Sequence, residues 1–192
     1  MGARLAPGRG DNVPGQGRFL HARSLATVGR EHGSVTLPLE ISLFDEVGEA
    51  LRSLAPPELG EQHHRAHRYG VKVWFGPATP PREHYEAQVV GPDADKQATV
   101  LAIEVGFHSE YPKADENDAV IAHLLANEKR WRRVVGNEAQ VGEFLGRPDK
   151  WRRVSETWPD PDLGDGGLVI ELATRLTDYI TALEPVRRRR PK

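Results

Sequence analysis

The clearest pattern along the chain is an alternation of large apolar residues with small or polar ones between Thr99 and Ser109. The alternate positions are Leu101, Ile103, Val105 and Phe107. A period of two residues is typical of a β-strand that buries one face. The segment therefore predicts a strand at the centre of the fold, on which the other elements pack.

Two alternating segments directly precede this strand, at 69–75 and 84–89, and polar stretches rich in proline, glycine or aspartate separate all three. An earlier alternating segment at 34–41 contains Pro38 and predicts an edge strand or an extended lead-in. Consecutive strands usually pair as antiparallel neighbours when their connections are short. The segment 150–158 is a weaker candidate for a fourth strand. We predict an antiparallel meander sheet of three to five strands.

Helical spacing of apolar residues, three and four positions apart, occurs in three other stretches. The first runs from 42 to the prolines at 56 and 57, the second over 115–135, and the third over 168–183 with Pro185 ending it. We expect the last two helices on one face of the sheet, and the first at an edge or on the open face. The predicted fold class is α+β.

Composition divides the chain into three parts. Residues 1–33 are rich in glycine and poor in large apolar groups, which predicts a flexible N-terminal arm. Residues 34–185 carry the periodic patterns and predict a single α+β domain. Residues 186–192 are mostly arginine and predict a disordered basic tail.

Charge and cysteine content exclude several classes of protein. The 192 residues carry a net charge of -2 and no cysteine, which rules out disulfides, thiolate metal sites and a cysteine nucleophile. The longest apolar run falls far short of the roughly 20 residues of a membrane span, and the N-terminus lacks the apolar core of a secretory signal. We expect a soluble, cytoplasmic protein without a membrane partner.

Candidate chemistry lies on the polar face of the predicted sheet. The simplest strand registers set Trp74 opposite His84 and bring His84 close to Glu104, with Glu86 and His108 beside them. A carboxylate next to an imidazole can act as a general base or hold a metal ion. These four His and Glu residues are therefore catalytic candidates. The competing interpretation is a solvated sheet face, where cross-strand polar pairs are common.

A second histidine pair lies at His63 and His67, in the segment ELGEQHHRAHR. On a helix these residues would be one turn apart on one face, a spacing that can bind a divalent metal. Two imidazoles make only half a metal site. A surface turn rich in polar residues is the alternative.

Basic residues concentrate between 129 and 153, where the tetrapeptide WRRV occurs twice. Interleaved arginine and tryptophan can bind phosphates and stack on bases. The alternative is that the tryptophans enter the core while the arginines are solvated. The candidate binding residues are Trp74, Lys129, Arg130, Arg132, Arg133, Arg152 and Arg153.

Two hypotheses about function follow. The first is a noncatalytic interaction module that binds a protein or a nucleic acid through the open sheet face and the basic region. The second is a small metal-dependent hydrolase that uses His84, Glu86, Glu104 and His108. The first ranks ahead because the sequence holds no phosphate-binding loop, nucleophile elbow or HExxH motif. The sequence identifies no cofactor and leaves open whether the protein is an enzyme.

Overall fold

A computed structural model describes residues 41–77, 79, 81–145 and 147–191, without the side chains at 41, 42 and 147. All structural statements below concern these residues. The flexible arm predicted for 1–33 and residues 34–40 of the predicted edge strand lie outside them.

The described strands form one antiparallel sheet of six strands in the order β1-β2-β3-β4-β6-β5. Their bounds are β1 Gln62–His67, β2 Gly70–Phe75, β3 Glu83–Val90, β4 Ala102–Ser109, β5 Gln140–Phe144 and β6 Arg147–Pro159. The α+β class is confirmed, but the predicted limit of five strands is wrong. The sequence hides β1, whose residues QHHRAH lack apolar alternation, and β5, a five-residue strand that contains Gly142.

The helices in the described part of the chain are α1 Ile41–Leu54, α2 Ala114–Leu125, α3 Glu128–Val135 and α4 Leu168–Arg187, with a short 3-10 turn at Pro57–Leu59. Among these described helices, none combines the length and apolar content needed to cross a bilayer.

All four α-helices pack against the same hydrophobic core, which one face of the sheet completes. Val47 of α1, Leu124 of α2, Trp131 of α3 and Leu176 of α4 all belong to this core and are buried. Burying such a side chain contributes about 1.5–3 kcal/mol, so the core holds the helices on the sheet. The helix α1 lies on this same face, against α4 and against β1 and β2 at one edge of the sheet.

Strand β4 is central, because β3 and β6 pair with it on either side. All eight of its residues are buried. Ile103, Val105 and Phe107 belong to the hydrophobic core, as the alternation predicts. Glu104 and His108 alternate with them, and each is 0% exposed. The polar side of β4 is therefore not an ordinary solvated surface.

The register between β3 and β4 differs from the predicted one. His84 lies opposite His108 rather than beside Glu104. The cause is at the start of β4, where the carboxylate of Asp160 accepts hydrogen bonds from the backbone amides of residues 99–101. These residues consequently stay in the loop, and strand pairing starts after them.

The long helix predicted over 115–135 is two helices separated by a turn at 126–127. The indole N–H of Trp131 donates to the carbonyl oxygen of Leu124 at 2.9 Å. A side chain of α3 therefore supplies a hydrogen bond to a carbonyl group near the end of α2. Gly136 ends α3 with a φ of 80°, a conformation that favours glycine.

The last helix continues past Pro185 to Arg187, so its predicted end is wrong. Proline removes one backbone donor from the helix, but ion pairs hold the final turn. The guanidinium groups of Arg187 and Arg188 lie 2.6 and 2.9 Å from Oε1 of Glu184, which is buried.

The arginines after Pro185 also contact the sheet. Nη1 of Arg187 lies 3.3 Å from Oε2 of Glu83, and Arg190 pairs with the other oxygen of that carboxylate. Glu83 is buried at the start of β3. These contacts tie the segment that we predicted as a disordered tail to the domain.

Candidate metal centre

The polar face of the sheet, opposite the helices, holds a buried group of ionisable side chains. Strand alternation places His84 and Glu86 on β3 next to Glu104 and His108 on β4, and none of the four is more than 2% exposed. The structure thus brings the four candidate catalytic residues together. The predicted contact between His84 and Glu104 is replaced by one between Glu104 and His108.

Glu86 lies between the two imidazoles. Its Oε2 is 2.9 Å from Nδ1 of His108 and 3.3 Å from Nε2 of His84. Glu110, just after β4, adds a second carboxylate oxygen 3.5 Å from Nε2 of His84. One ligand atom from each residue lies within 4.8 Å of the other three. We call His84, Glu86, His108 and Glu110 the His–Glu cluster.

Lys72 of β2 also reaches the His–Glu cluster. Its Nζ is 2.8 Å from Oε1 of Glu110, 3.0 Å from Nε2 of His84 and 3.4 Å from Oε2 of Glu86. The ammonium group thereby balances part of the negative charge of the carboxylates. The side chains of Lys72 and Glu110 are 27% and 14% exposed, so they form the solvent-facing edge of the cluster.

Glu104 contacts the cluster through His108. Its Oε1 is 3.4 Å from Nε2 of His108, an ion-pair distance at which no hydrogen bond is formed. Ser155 Oγ and Gln88 Nε2 donate to the Glu104 carboxylate at 2.6 and 2.8 Å, and Arg153 Nη1 lies 3.5 Å from it. A carboxylate held in this way fixes the orientation of the adjacent imidazole.

Burial and neighbouring charges set the protonation of these groups. Burial favours a higher pKa for Glu86, but the hydrogen bond and charge of His108 bring that pKa well below its ordinary value. Burial also favours a higher pKa for Glu104, but the charge of His108 and the hydrogen bond from Ser155 lower that pKa. Burial favours a higher pKa for Glu110, yet His84 and Lys72 lower it to about 2. All three carboxylates are therefore charged at neutral pH, as a cation site requires.

The protonation of His108 follows from the same contacts. Burial lowers the pKa of His108, but the charge of Glu104, together with the hydrogen bond and charge of Glu86, outweighs that effect and raises it to about 9. At neutral pH the imidazole therefore carries a positive charge between two carboxylates.

The structure does not bring His63 and His67 together, because the helical turn that the pairing assumed is not formed. Both residues lie on β1, where a separation of four residues amounts to about 13 Å, too far for one ion. His63 instead stacks on Trp74, with ring centroids 5.7 Å apart, and its Nε2 is 2.8 Å from the carbonyl oxygen of Gly76.

Trp74 is buried rather than available to a partner. Its side chain is 5% exposed, and its indole N–H donates to the carbonyl oxygen of Pro77 at 2.8 Å. The backbone pairing of β2 with β3 ends at Val73 and Tyr85, one residue short of the predicted pair of Trp74 with His84.

The predicted basic binding residues divide into two groups. Arg132 pairs with Glu128, Arg152 pairs with Asp118, and Arg153 supports the Glu104 carboxylate. These three arginines already have acidic partners within the domain. Lys129, Arg130 and Arg133 are exposed on α3.

Glu110 is the cluster member that the sequence prediction missed. It lies two residues after His108, and thus continues the period of two that places Glu104, Gly106 and His108 on one face. Because Ser109, Glu110 and Pro112 indicate the end of the strand, the alternation alone does not place Glu110 on the same face of the sheet as His108.

Comparisons with protein-family models, curated proteins and solved structures found no match for this chain.

Proposed function

We propose that this protein binds a divalent transition-metal ion, with zinc as the first choice, through the His–Glu cluster. The observation that carries the proposal is the convergence of two imidazole nitrogens and two carboxylate oxygens within 4.8 Å. Imidazole and carboxylate are ordinary zinc ligands, and four of them complete a tetrahedral site. Other divalent ions of the first transition row use the same donors, so geometry rather than donor type selects among them.

The distances within the cluster suit such an ion. Tetrahedral bonds of about 2.0–2.1 Å set the ligand atoms about 3.3 Å apart. Oε2 of Glu86 lies 2.9 Å from His108 Nδ1 and 3.3 Å from His84 Nε2, while His84 Nε2 and Glu110 Oε1 are 3.5 Å apart. Only small side-chain movements are needed to bring these atoms to bonding distance.

Glu104 supports the proposal from outside the cluster. Binding of the metal at Nδ1 of His108 displaces the proton from that nitrogen to solvent, and Nε2, which keeps its hydrogen, then faces the Glu104 carboxylate at 3.4 Å. A carboxylate behind a metal-bound histidine orients the ring and strengthens it as a ligand. Glu104 is therefore a positioning residue in this proposal rather than a ligand.

Metal-dependent hydrolysis is the activity that we propose for this site. Glu110 is the ligand nearest to solvent, with 14% of its side chain exposed. Its replacement by water would leave three protein ligands and one open position, the arrangement of catalytic zinc sites. A metal ion lowers the pKa of bound water and so supplies a nucleophile at neutral pH.

Zinc titration of the purified protein tests the metal proposal directly. We expect binding of one zinc ion per chain by isothermal titration calorimetry, and loss of that binding in His108→Ala and Glu86→Gln. The control is His67→Ala, which removes an exposed histidine outside the cluster. A ligand at 100 times its dissociation constant adds about 2.7 kcal/mol of stability, so thermal melts should rise with zinc. Equal zinc binding by His67→Ala, His108→Ala and Glu86→Gln would contradict the proposal.

An interaction surface on α3 is the second candidate function. Lys129, Arg130 and Arg133 are exposed there beside Val134, which is 47% exposed. A basic patch of this kind binds polyanions with an affinity that falls steeply with salt. Changing the three cations to glutamate should abolish binding to single-stranded RNA at low salt. Unchanged binding would remove α3 from this hypothesis.

A further inference from the structure

Lys72 takes the place among the cluster atoms that a cation would need. It lies opposite Glu86 in the pairing of β2 with β3, so its side chain extends over the same face of the sheet. Its Nζ is within 3.4 Å of ligand atoms from Glu110, His84 and Glu86. These are three of the four atoms proposed to bind the metal.

The ammonium and a metal ion cannot share this position. An ion bonded at about 2 Å to those three atoms would lie within about 3 Å of Nζ. Two cations at that distance repel each other strongly, since little water separates them in a buried site. His84 and Glu86 are each only 2% exposed, so the ion and the ammonium group would meet where little water can screen their charges.

We propose that Lys72 is a built-in competitor for the metal. In the metal-free protein its ammonium group balances part of the negative charge of the two carboxylates of the His–Glu cluster, and its side chain must leave before the ion binds. This inference rests on the proposed metal site and adds the regulation of that site. Lys72 has a route out, because its side chain is 27% exposed and lies at the solvent-facing edge.

The competition has a consequence for the metal-free fold. Loss of the ammonium group would destabilise the domain, because Glu86 is buried, Glu110 is largely buried, and charges that lose a partner in such a site are costly. Lys72 supplies that partner at 2.8 Å from Glu110 and 3.4 Å from Glu86. The protein therefore folds without metal, and its zinc affinity is lower than the four ligands alone would give.

Replacing Lys72 tests both its competition with the metal ion and its contribution to the stability of the metal-free fold. Lys72→Met keeps much of the length of the side chain and removes its charge, whereas Lys72→Arg keeps a permanent cation. Isothermal titration calorimetry should show zinc binding at least tenfold tighter in Lys72→Met than in the unchanged protein, and no tighter in Lys72→Arg. Lys96→Met, at an exposed lysine in the loop after β3, should leave the affinity unchanged. Without zinc, Lys72→Met should melt at a lower temperature.

The outcomes distinguish this inference from the proposed function. Zinc binding that is equal or weaker in Lys72→Met overturns the competitor role while the metal site stands. Zinc binding by Lys72→Met alone supports the competitor role and shows that the lysine closes the site in the unchanged chain. No binding by either protein overturns both proposals. Lys72→Gln, a polar neutral replacement, gives the same comparison if the methionine variant does not fold.

Discussion

Glu104 and His108 face each other along β4, with Oε1 of the glutamate 3.4 Å from Nε2 of the imidazole. The opposite ring nitrogen, Nδ1, lies 2.9 Å from Glu86 in the His–Glu cluster. One histidine thus joins the proposed metal ligands to a carboxylate that Ser155 and Gln88 hold in place. This relationship makes the orientation of His108 depend on a residue outside the cluster.

The first prediction concerns that dependence. Glu104→Gln preserves the shape of the side chain and removes its charge, so the imidazole loses its ionic partner. We expect zinc affinity to fall about 10–100-fold, the usual effect of removing such a partner, with four ligands and stoichiometry unchanged. Titration calorimetry measures the affinity, and circular dichroism without metal checks the fold. The control is Glu143→Gln, at an exposed glutamate on β5. Equal affinities for the two variants would show that Glu104 does not act on His108.

The second prediction concerns the close approach of β4 to β6. Gly106 pairs with Ser155, and a Cβ added at Gly106 would lie 2.4 Å from the carbonyl oxygen of Val154. Because that neighbour is backbone in the centre of the sheet, the strands must shift to accept a methyl group. We expect Gly106→Ala to lower the free energy of unfolding by about 1–3 kcal/mol, as overpacking does, in urea denaturation.

Gly91→Ala is the matched control for this substitution. A Cβ at Gly91 has no atom within 4 Å outside its chain neighbours, so the alanine fits without displacement. Removing a glycine also reduces the entropy of the unfolded chain, which makes the control neutral or slightly stabilising. Equal stability of the two alanine variants would show that the sheet absorbs the methyl group at Gly106 without cost.

The sequence predicts the central sheet well because alternation is a local property. The side chains of Ile103, Val105 and Phe107 have to be on one face of any strand that contains them. The same rule places Glu104 and His108 together on the other face. His84, Glu86, Glu104 and His108 were therefore predictable from their positions within β3 and β4 alone.

The register, the strand number and the role of Lys72 are not local properties. Register depends on where β4 begins, and a carboxylate about 60 residues later in the chain, that of Asp160, sets this point. The identity of β1 depends on its pairing with β2, since its own residues lack apolar alternation. The contact of Lys72 on β2 with Glu110, just after β4, reaches across β3. Relationships of this kind become visible only in the folded structure, because they depend on residues that are far apart in the sequence.

The third prediction concerns Asp160, which sets the start of β4. Its φ of 46° lies in the left-handed region, which asparagine tolerates better than alanine does. Its carboxylate accepts hydrogen bonds from the amides at 99–101 and from the hydroxyl of Thr99. We expect Asp160→Ala to be less stable than Asp160→Asn, and both to be less stable than the unchanged protein, in thermal melts at neutral pH.

The pH dependence of stability tests whether the charge of Asp160 is responsible for this effect. Hydrogen bonds from Thr99 and the neighbouring amides lower the pKa of Asp160 from 3.8 to about 2. A group whose pKa is lower in the folded state stabilises the fold above its unfolded value and loses that effect as the pH falls towards its folded value. The stability advantage over Asp160→Asn should therefore be constant above pH 5 and shrink between about pH 4 and pH 2. The control is Asp93→Asn, which makes the same substitution at an exposed loop aspartate. An advantage that stays constant down to pH 2.5 would mean that the charge of Asp160 does not hold the loop at 99–101, and that the register of β4 is set by backbone pairing alone.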